Sequence, residues 1–334
     1  MLESLKGSPL AAFLAAFLAT IVVTSWVRSL AIRAGAVAKP DARRLHKGEI
    51  AQWGGLALFL GVLAAALVWR QPSPTDLRLL APSSNPADIA QTVSTLHLST
   101  TFFGCGAAML ALGMLDDRFE LRAWQKFGGQ ILITYFLWRG GVKITTLPFS
   151  DGTLPLSDGV SLLFTMVWVL GLTNGLNLID GMDGLAAGVG AIAAGSLALI
   201  ELDKAPWAAC ASAALCGACI GFLKWNFHPA KIFLGDAGAL LLGFWLAAIA
   251  LTAAAKTAAA TTLALPLLVM GIPVLDTVWA IFRRTLAGQA PWVADRGHIH
   301  HRLLSKGLSP VKTVLVIYVA GLVLGFAALL FSRV

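Results

Sequence analysis

The sequence predicts an all-α polytopic membrane protein with about ten transmembrane helices, each an apolar run of the length needed to cross a bilayer. Three observations lead there. The 334 residues are 57% hydrophobic and only 13% charged, about half the charged fraction of a soluble domain. Apolar runs recur along the whole chain, and in lipid such runs must be helices or strands of a closed barrel to satisfy their backbone polar groups. Basic residues are unevenly shared: 17 of the 25 Lys and Arg lie in loops 28–50, 116–126, 176–184, 224–236 and 283–312, against 8 in the opposite set, which includes both ends. By the positive-inside rule the first set is cytoplasmic and both termini face outside. The net charge of +8 belongs to this topology and is no nucleic-acid footprint.

Within the first span, 9–30, the apolar run 10–27 follows one lysine (Lys6) and precedes Arg28, Arg33, Lys39, Arg43, Arg44 and Lys47. That polarity predicts an uncleaved span and not a signal peptide, although Ala36-Val37-Ala38 mimics a cleavage site. The next spans are expected at 52–69, 93–115, 126–139 (a short one), 159–176, 185–201, 206–223, 237–255, 258–282 and 312–331. Cys105, Cys210, Cys216 and Cys219 all fall inside spans; the Cys216–Cys219 spacing fits small residues on a helix-packing face better than metal binding. Outward loops are plain: a Pro/Ser-rich 70–92, tight turns at 201–206 and 256–257, and a Gly/Pro-punctuated 140–158 that predicts a small hairpin. The whole chain, 1–334, forms one membrane domain with cytoplasmic loops at about 31–51, 116–126, 176–184, 224–236 and 283–311.

Those inward loops hold the chemistry. Ten of the 17 acids lie at or beside them: Asp41, Glu49, Asp116, Asp117, Glu120, Asp180, Asp183, Asp236, Asp276 and Asp295. Clustered carboxylates repel one another unless cations neutralise them. Acids, an amide and basic side chains together suit a magnesium–diphosphate site. In NGLNLIDGMDG (174–184), Asn177, Asp180 and Asp183 recur every three residues, so a helical turn would set them on one face. In FLGDAG (233–238), Asp236 is a helix N-cap, a ligand, or both; Phe233 is interfacial packing or a platform for a base. DRGHIHHRL (295–303) carries three imidazoles and two guanidiniums, with no cysteine partners for a structural zinc, and so points to anion recognition. Asp276 is expected to pair with basic residues at the end of its span, and His97 to be structural; His228 stays open.

Together these motifs, in order from about 39 to 304, resemble the polyprenyl-phosphate N-acetylhexosamine-1-phosphate transferase family. The HIHH form is most similar to its GlcNAc-1-phosphate transferase branch, whereas the related phospho-MurNAc-pentapeptide transferases carry three adjacent histidines. The resemblance implies ten or eleven helices, a cytoplasmic active site in a bacterial inner membrane, and transfer of a sugar 1-phosphate from a UDP-N-acetylhexosamine to undecaprenyl phosphate. UMP is released, and the lipid-linked product starts a surface polysaccharide such as O-antigen. The reaction requires Mg²⁺, with Mn²⁺ as a substitute; a homodimer is compatible with the family. Matching positions make Asp116 and Asp117 the acidic pair, one of them assigned as general base, and Lys126 the phosphate-binding lysine. Asn177 and Asp236 match metal-associated residues, with Asp117 as a third donor. Asp180 and Asp183 carry the second acidic motif, Asp183 near the uracil edge. Phe233 matches the uracil-stacking aromatic, and His300 and His301 the essential histidines. Arg296, His298 and Arg302 hold diphosphate or sugar, with Arg44 and His46 of the first inward loop as further substrate contacts. That loop departs from the family in having Ala51-Gln52-Trp53, without proline, before Gly54-Gly55.

Two rivals are weighed against this. A secondary transporter places polar sites near the bilayer midplane, whereas here the acids crowd one interface. A CDP-alcohol phosphotransferase pattern begins at Asp180-Gly-Met-Asp183-Gly184, but Gly188 stands where arginine is required and the later aspartates are missing.

Overall fold

The computed structural model describes residues 8–38, 49–69, 86–149, 152–254, 267–286, 288 and 298–333. Its helices are α1 (Pro9–Arg33), α2 (Gly54–Val68), α3 (Pro86–Phe119), α4 (Ala123–Arg139), α5 (Asp158–Ile179), α6 (Leu185–Ile200), α7 (Pro206–Asn226), α8 (Gly235–Ala254), α9 (Gly271–Leu286), α10 (Ile299–Ser305) and α11 (Pro310–Phe331). Six of them are long and apolar enough to cross a membrane, and α2 and α6 are shorter apolar helices. The chain is therefore a mostly helical, multi-pass membrane protein. A helix lies at each anticipated span, although part of the one expected at 258–282 falls outside the described residues.

The helices pack through small residues, because lipid supplies no hydrophobic force between them. A Cβ at Gly217 or Gly221 of α7 would strike the Phe13 and Phe17 carbonyls of α1, and these two helices share the most extensive contact. The four cysteines are free.

At the centre stands α8, which touches α2, α3, α5, α6 and α7. Of its most apolar stretch 94% is buried by protein, against 28% for α1 and α11. Trp245 of α8 stacks on Phe102 (5.1 Å) and Phe59 (5.5 Å), and Gly106 leaves the room that its indole needs.

The hairpin expected at 140–158 forms: β3 (Thr146–Phe149) pairs antiparallel with β4 (Gly152–Pro155), with Leu147 opposite Leu154. It is tied to α5, since the Ser161 hydroxyl donates to the Ile144 carbonyl (2.6 Å) and the Ile144 N–H to Thr165 Oγ1 (3.0 Å).

Two elements were not anticipated. Between α1 and α2, β1 (Val37–Ala38) pairs antiparallel with β2 (Ile50–Ala51), and Ala51 forms a parallel bridge to Ile232. The Phe233 N–H donates to the Ala51 carbonyl (2.8 Å), and the Gly54 N–H to the Phe233 carbonyl (3.1 Å). The histidine segment, read as loop, is helical from Ile299.

Candidate active site

The acidic pair sits where α3 stops. Glu120 adopts a left-handed conformation (φ 50°), and Asp116 Oδ1 accepts the Leu121 N–H (2.8 Å) in the turn beyond. Carboxylates at a helix C-terminus oppose the helix dipole, so this pair needs compensation. It finds two sources. Asp117 turns both oxygens onto the start of α8, accepting the N–H groups of Asp236 (2.8 Å) and Ala237 (3.1 Å). Asp116 receives the Lys126 ammonium from α4 at 2.6 Å.

Glycines make the approach possible. A Cβ at Gly55 or Gly113 would collide with the Asp236–Gly238 backbone, and one at Gly235 (φ +70°) with the Asp117 carboxylate. Three segments thus meet backbone to backbone around the first turn of α8.

Asp236 is the hub. Its Oδ1 accepts from Asn177 Nδ2 of α5 (2.9 Å), and its Oδ2 pairs with Lys126. One ammonium bridges two carboxylates from α3 and α8, so Asp116, Asp117, Lys126, Asn177 and Asp236 form a single cluster drawn from four helices. Next to Asn177, the side chain of Asn174 donates to Gln130 Oε1 (2.7 Å), joining α5 to α4 below the cluster. Among the described residues, no group of three or more His, Cys, Asp or Glu is placed to hold a metal unaided. The carboxylate–amide pair Asp236 and Asn177 nevertheless suits a hard cation, which takes few protein ligands and completes its shell with water and phosphate.

The second acidic motif departs from the expected helical register. Helix α5 ends at Ile179, Asp180 lies in the turn, and Gly184 takes a left-handed conformation (φ 77°) before α6 begins. Asn177, Asp180 and Asp183 therefore do not share a helix face, because the glycines of the turn interrupt the helix. Asp180 remains against the cluster, where burial and the charges of Asp236, Asp117 and Asp183 raise its pKa well above the usual carboxylate range. Asp183 swings away, accepting from His228 Nδ1 (2.8 Å) and from the Ala230 N–H (3.1 Å). The turn is braced from behind: Asn226 Oδ1 accepts the Gly184 N–H (3.1 Å), and the Tyr318 hydroxyl of α11 donates to the Gly184 carbonyl (2.6 Å). Gly188 is required here, because any Cβ would overlap the Tyr318 ring.

The histidines close one side. His298 is the N-cap residue of α10. Its Nδ1 lies 2.8 Å from Asp276 Oδ2 of α9, and Asp276 Oδ1 accepts the Ile299 N–H (2.9 Å). Asp276 thus binds the histidine segment directly, where pairing with the basic end of its own helix was expected. His300 is 2% exposed and rests on the acidic turn, since a Cβ at Gly181 would stand 2.8 Å from its Nε2. Its Nδ1 is buried without a hydrogen-bond partner. Burial, with the neighbouring His301 and His298, lowers its pKa to about 4, so His300 is neutral at pH 7 and contributes no positive charge. His301 lies with its ring 4.3 Å from that of His300. Arg302 stacks over Trp279 (5.8 Å).

Phe233 is half-buried beside the Ala51–Gly54 segment. Arg44, His46 and Arg296 lie outside the described residues. Sequence reasoning missed Tyr318, Asn226 and the role of Asp276; a lone tyrosine hydroxyl in an apolar span was the signal for the first of these.

The chain matches a family model described as glycosyl transferase family 4 over residues 99–254. It is 33% identical to a probable undecaprenyl-phosphate N-acetylglucosaminyl 1-phosphate transferase of Bacillus subtilis, an alignment covering 95% of this chain and 83% of that protein. It is 36% identical to a decaprenyl-phosphate N-acetylglucosaminephosphotransferase of Mycolicibacterium smegmatis, over 94% and 80%. A phospho-N-acetylmuramoyl-pentapeptide-transferase of Moorella thermoacetica is 31% identical, over 98% of both chains.

Proposed function

Because the chain belongs to glycosyl transferase family 4, we propose that it transfers N-acetylglucosamine 1-phosphate from UDP-N-acetylglucosamine to undecaprenyl phosphate. The observation that carries this reading is the convergence of Lys126 and Asn177 on Asp236, beside Asp116 and Asp117. Phosphoryl transfer requires in-line positioning and charge neutralisation more than covalent help, and a cluster of fixed acids sharing one ammonium serves both ends. In this reading about ten helices cross a bacterial inner membrane, both termini face outside, and the cluster opens to the cytoplasm, where nucleotide sugars are found.

Asp236 and Asn177 would hold the magnesium ion. When bound, that ion neutralises diphosphate charge and acts as a Lewis acid on the transferred phosphoryl group. Asp117 supports Asp236 from behind, since both its oxygens already serve backbone N–H groups. Lys126 holds a phosphate oxygen. The lipid phosphate enters laterally, and its oxygen forms a bond to the sugar-bearing phosphorus. The bridging P–O bond breaks, and UMP leaves with that oxygen and the electron pair. A phosphate monoester has a second pKa near about 6, so the nucleophile is mostly ionised at pH 7 and needs no general base. A single displacement follows, with no aspartyl intermediate.

The test is UMP release by purified enzyme from a panel of UDP-N-acetylhexosamines, including 6-deoxy and MurNAc-pentapeptide sugars, with lipid phosphate and Mg²⁺ or Mn²⁺ each omitted in turn. Release from UDP-GlcNAc only when both are present supports the reading. No release from any sugar, with solute flux in liposomes instead, would return the transporter.

A further inference from the structure

We infer that Asp276 is a positioning residue for the transferase reaction, an inference that rests on the reading of the site given above. Its carboxylate fixes the His298 imidazole and the first turn of α10, and so holds His300 against the Asp180–Gly181 turn. Both oxygens are committed to this segment, one to His298 Nδ1 and one to the Ile299 N–H. The Asp276 and His298 side chains are each 6% exposed, so the pair is sealed from water. A seven-residue helix does not stand alone, and the His298 side chain makes no cap of its own. The external carboxylate from α9 does that work. From there the connection to the acids is short: the His298 and His300 rings are parallel within 4° at 5.9 Å, and His300 Nε2 lies against Gly181. Helix α9 in turn packs on α5, the helix that carries Asn177.

The chemistry is specific to a carboxylate. An acceptor at Nδ1 requires the proton there, which leaves Nε2 of His298 as a lone-pair acceptor. Asparagine at 276 can still accept the Ile299 N–H through its oxygen, but offers an NH₂ to Nδ1 and favours the opposite tautomer. Asparagine at 298 places an amide N–H where Nδ1–H was, so it preserves the donor to Asp276 without the ring.

The experiment measures kcat and KM for UDP-GlcNAc by UMP release in Asp276→Ala, Asp276→Asn, His298→Ala, His298→Asn and the double alanine variant. Tautomers are read by ¹⁵N-histidine NMR of the full chain in nanodiscs. Asp276→Ala is expected to lower kcat by about 10–100-fold, the range for partners that orient a site imidazole. Adding His298→Ala should cost nothing more, and His298→Asn should recover more kcat than His298→Ala. Wild-type kcat in Asp276→Ala, or losses that multiply in the double variant, would overturn the inference. If the alanine variant does not fold, Asp276→Asn decides: a reversed His298 tautomer with lowered kcat supports it, and an unchanged spectrum and kcat sink it. Absence of UMP release by the wild-type enzyme would instead fail the functional reading, while the tautomer measurement still judges the Asp276–His298 contact.

Discussion

Replacing Asp117 separates two roles that an aspartate at this position can play. The carboxylate accepts two N–H groups in the first turn of α8, at 2.8 and 3.1 Å. Each hydrogen bond to a charged acceptor contributes about 1.5–3 kcal/mol, and a negative charge at a helix N-terminus adds roughly 0.3–1 kcal/mol. Asp117→Asn keeps one acceptor oxygen and turns an NH₂ toward the second N–H, a loss of about 2–3 kcal/mol. Asp117→Ala loses both, about 3–7 kcal/mol in all. For a protein of this size the asparagine variant should melt roughly 3–4 °C lower. The assay pairs melting in detergent with UMP-release rates between about pH 6 and 8, the range in which a lipid phosphate titrates. Activity should fall by a similar factor at every pH, because the side chain acts by positioning Asp236 and not as the base for the lipid phosphate. An Asp117→Ala variant that melts with the wild type would refute the capping argument. An Asp117→Asn profile that loses a titrating limb present in the wild type would reinstate a general base.

Three further outcomes follow from the same geometry. Lys126→Met leaves Asp116 and Asp236 facing each other without their shared cation; UMP release should drop by at least about 100-fold, and Lys126→Arg should recover part of it. Gly55→Ala and Gly113→Ala drive a methyl group into the α8 backbone and should each cost about 1–3 kcal/mol in thermal unfolding, while Gly104→Ala, which meets nothing within 4 Å, should be neutral. His300 resists protonation down to about pH 4 when folded but titrates near 6.5 when unfolded, so the unfolded chain binds the extra proton between those values. Its stability contribution is complete above pH 6.5 and falls as pH drops toward 4, by about 3 kcal/mol; His300→Gln should flatten that part of the melting-temperature curve.

The positions of the helices were legible because a bilayer demands long apolar runs, and the 146–155 hairpin because Gly and Pro punctuate it. The acidic cluster was legible from scarcity: in so apolar a chain, Asp116 and Asp117 require a partner. Contacts between distant segments were not. No local pattern announces the bridge from Ala51 to Ile232 or the hydrogen bond from Tyr318 to Gly184, since each joins residues far apart in sequence. Helix α10 is too short for apolar periodicity to reveal, and an aspartate on another helix caps it. The split between Asp180 and Asp183 was hidden because three-residue spacing implies a continuous helix, and Gly181 between them and Gly184 after them allow the chain to turn instead.

The central placement of α8 has a consequence for how the enzyme meets its bilayer. Acyl chains press on α1 and α11, which are covered by protein over only 28% of their apolar stretches, and hardly at all on α8, at 94%. Membranes thicker or thinner than the protein's hydrophobic span tilt the peripheral helices first. The depth of Asp236 is set by protein alone, through the Trp245 stack above and the glycine contacts at the helix start. Turnover should therefore be nearly flat across lipids of different chain length, with the outer helices absorbing the mismatch.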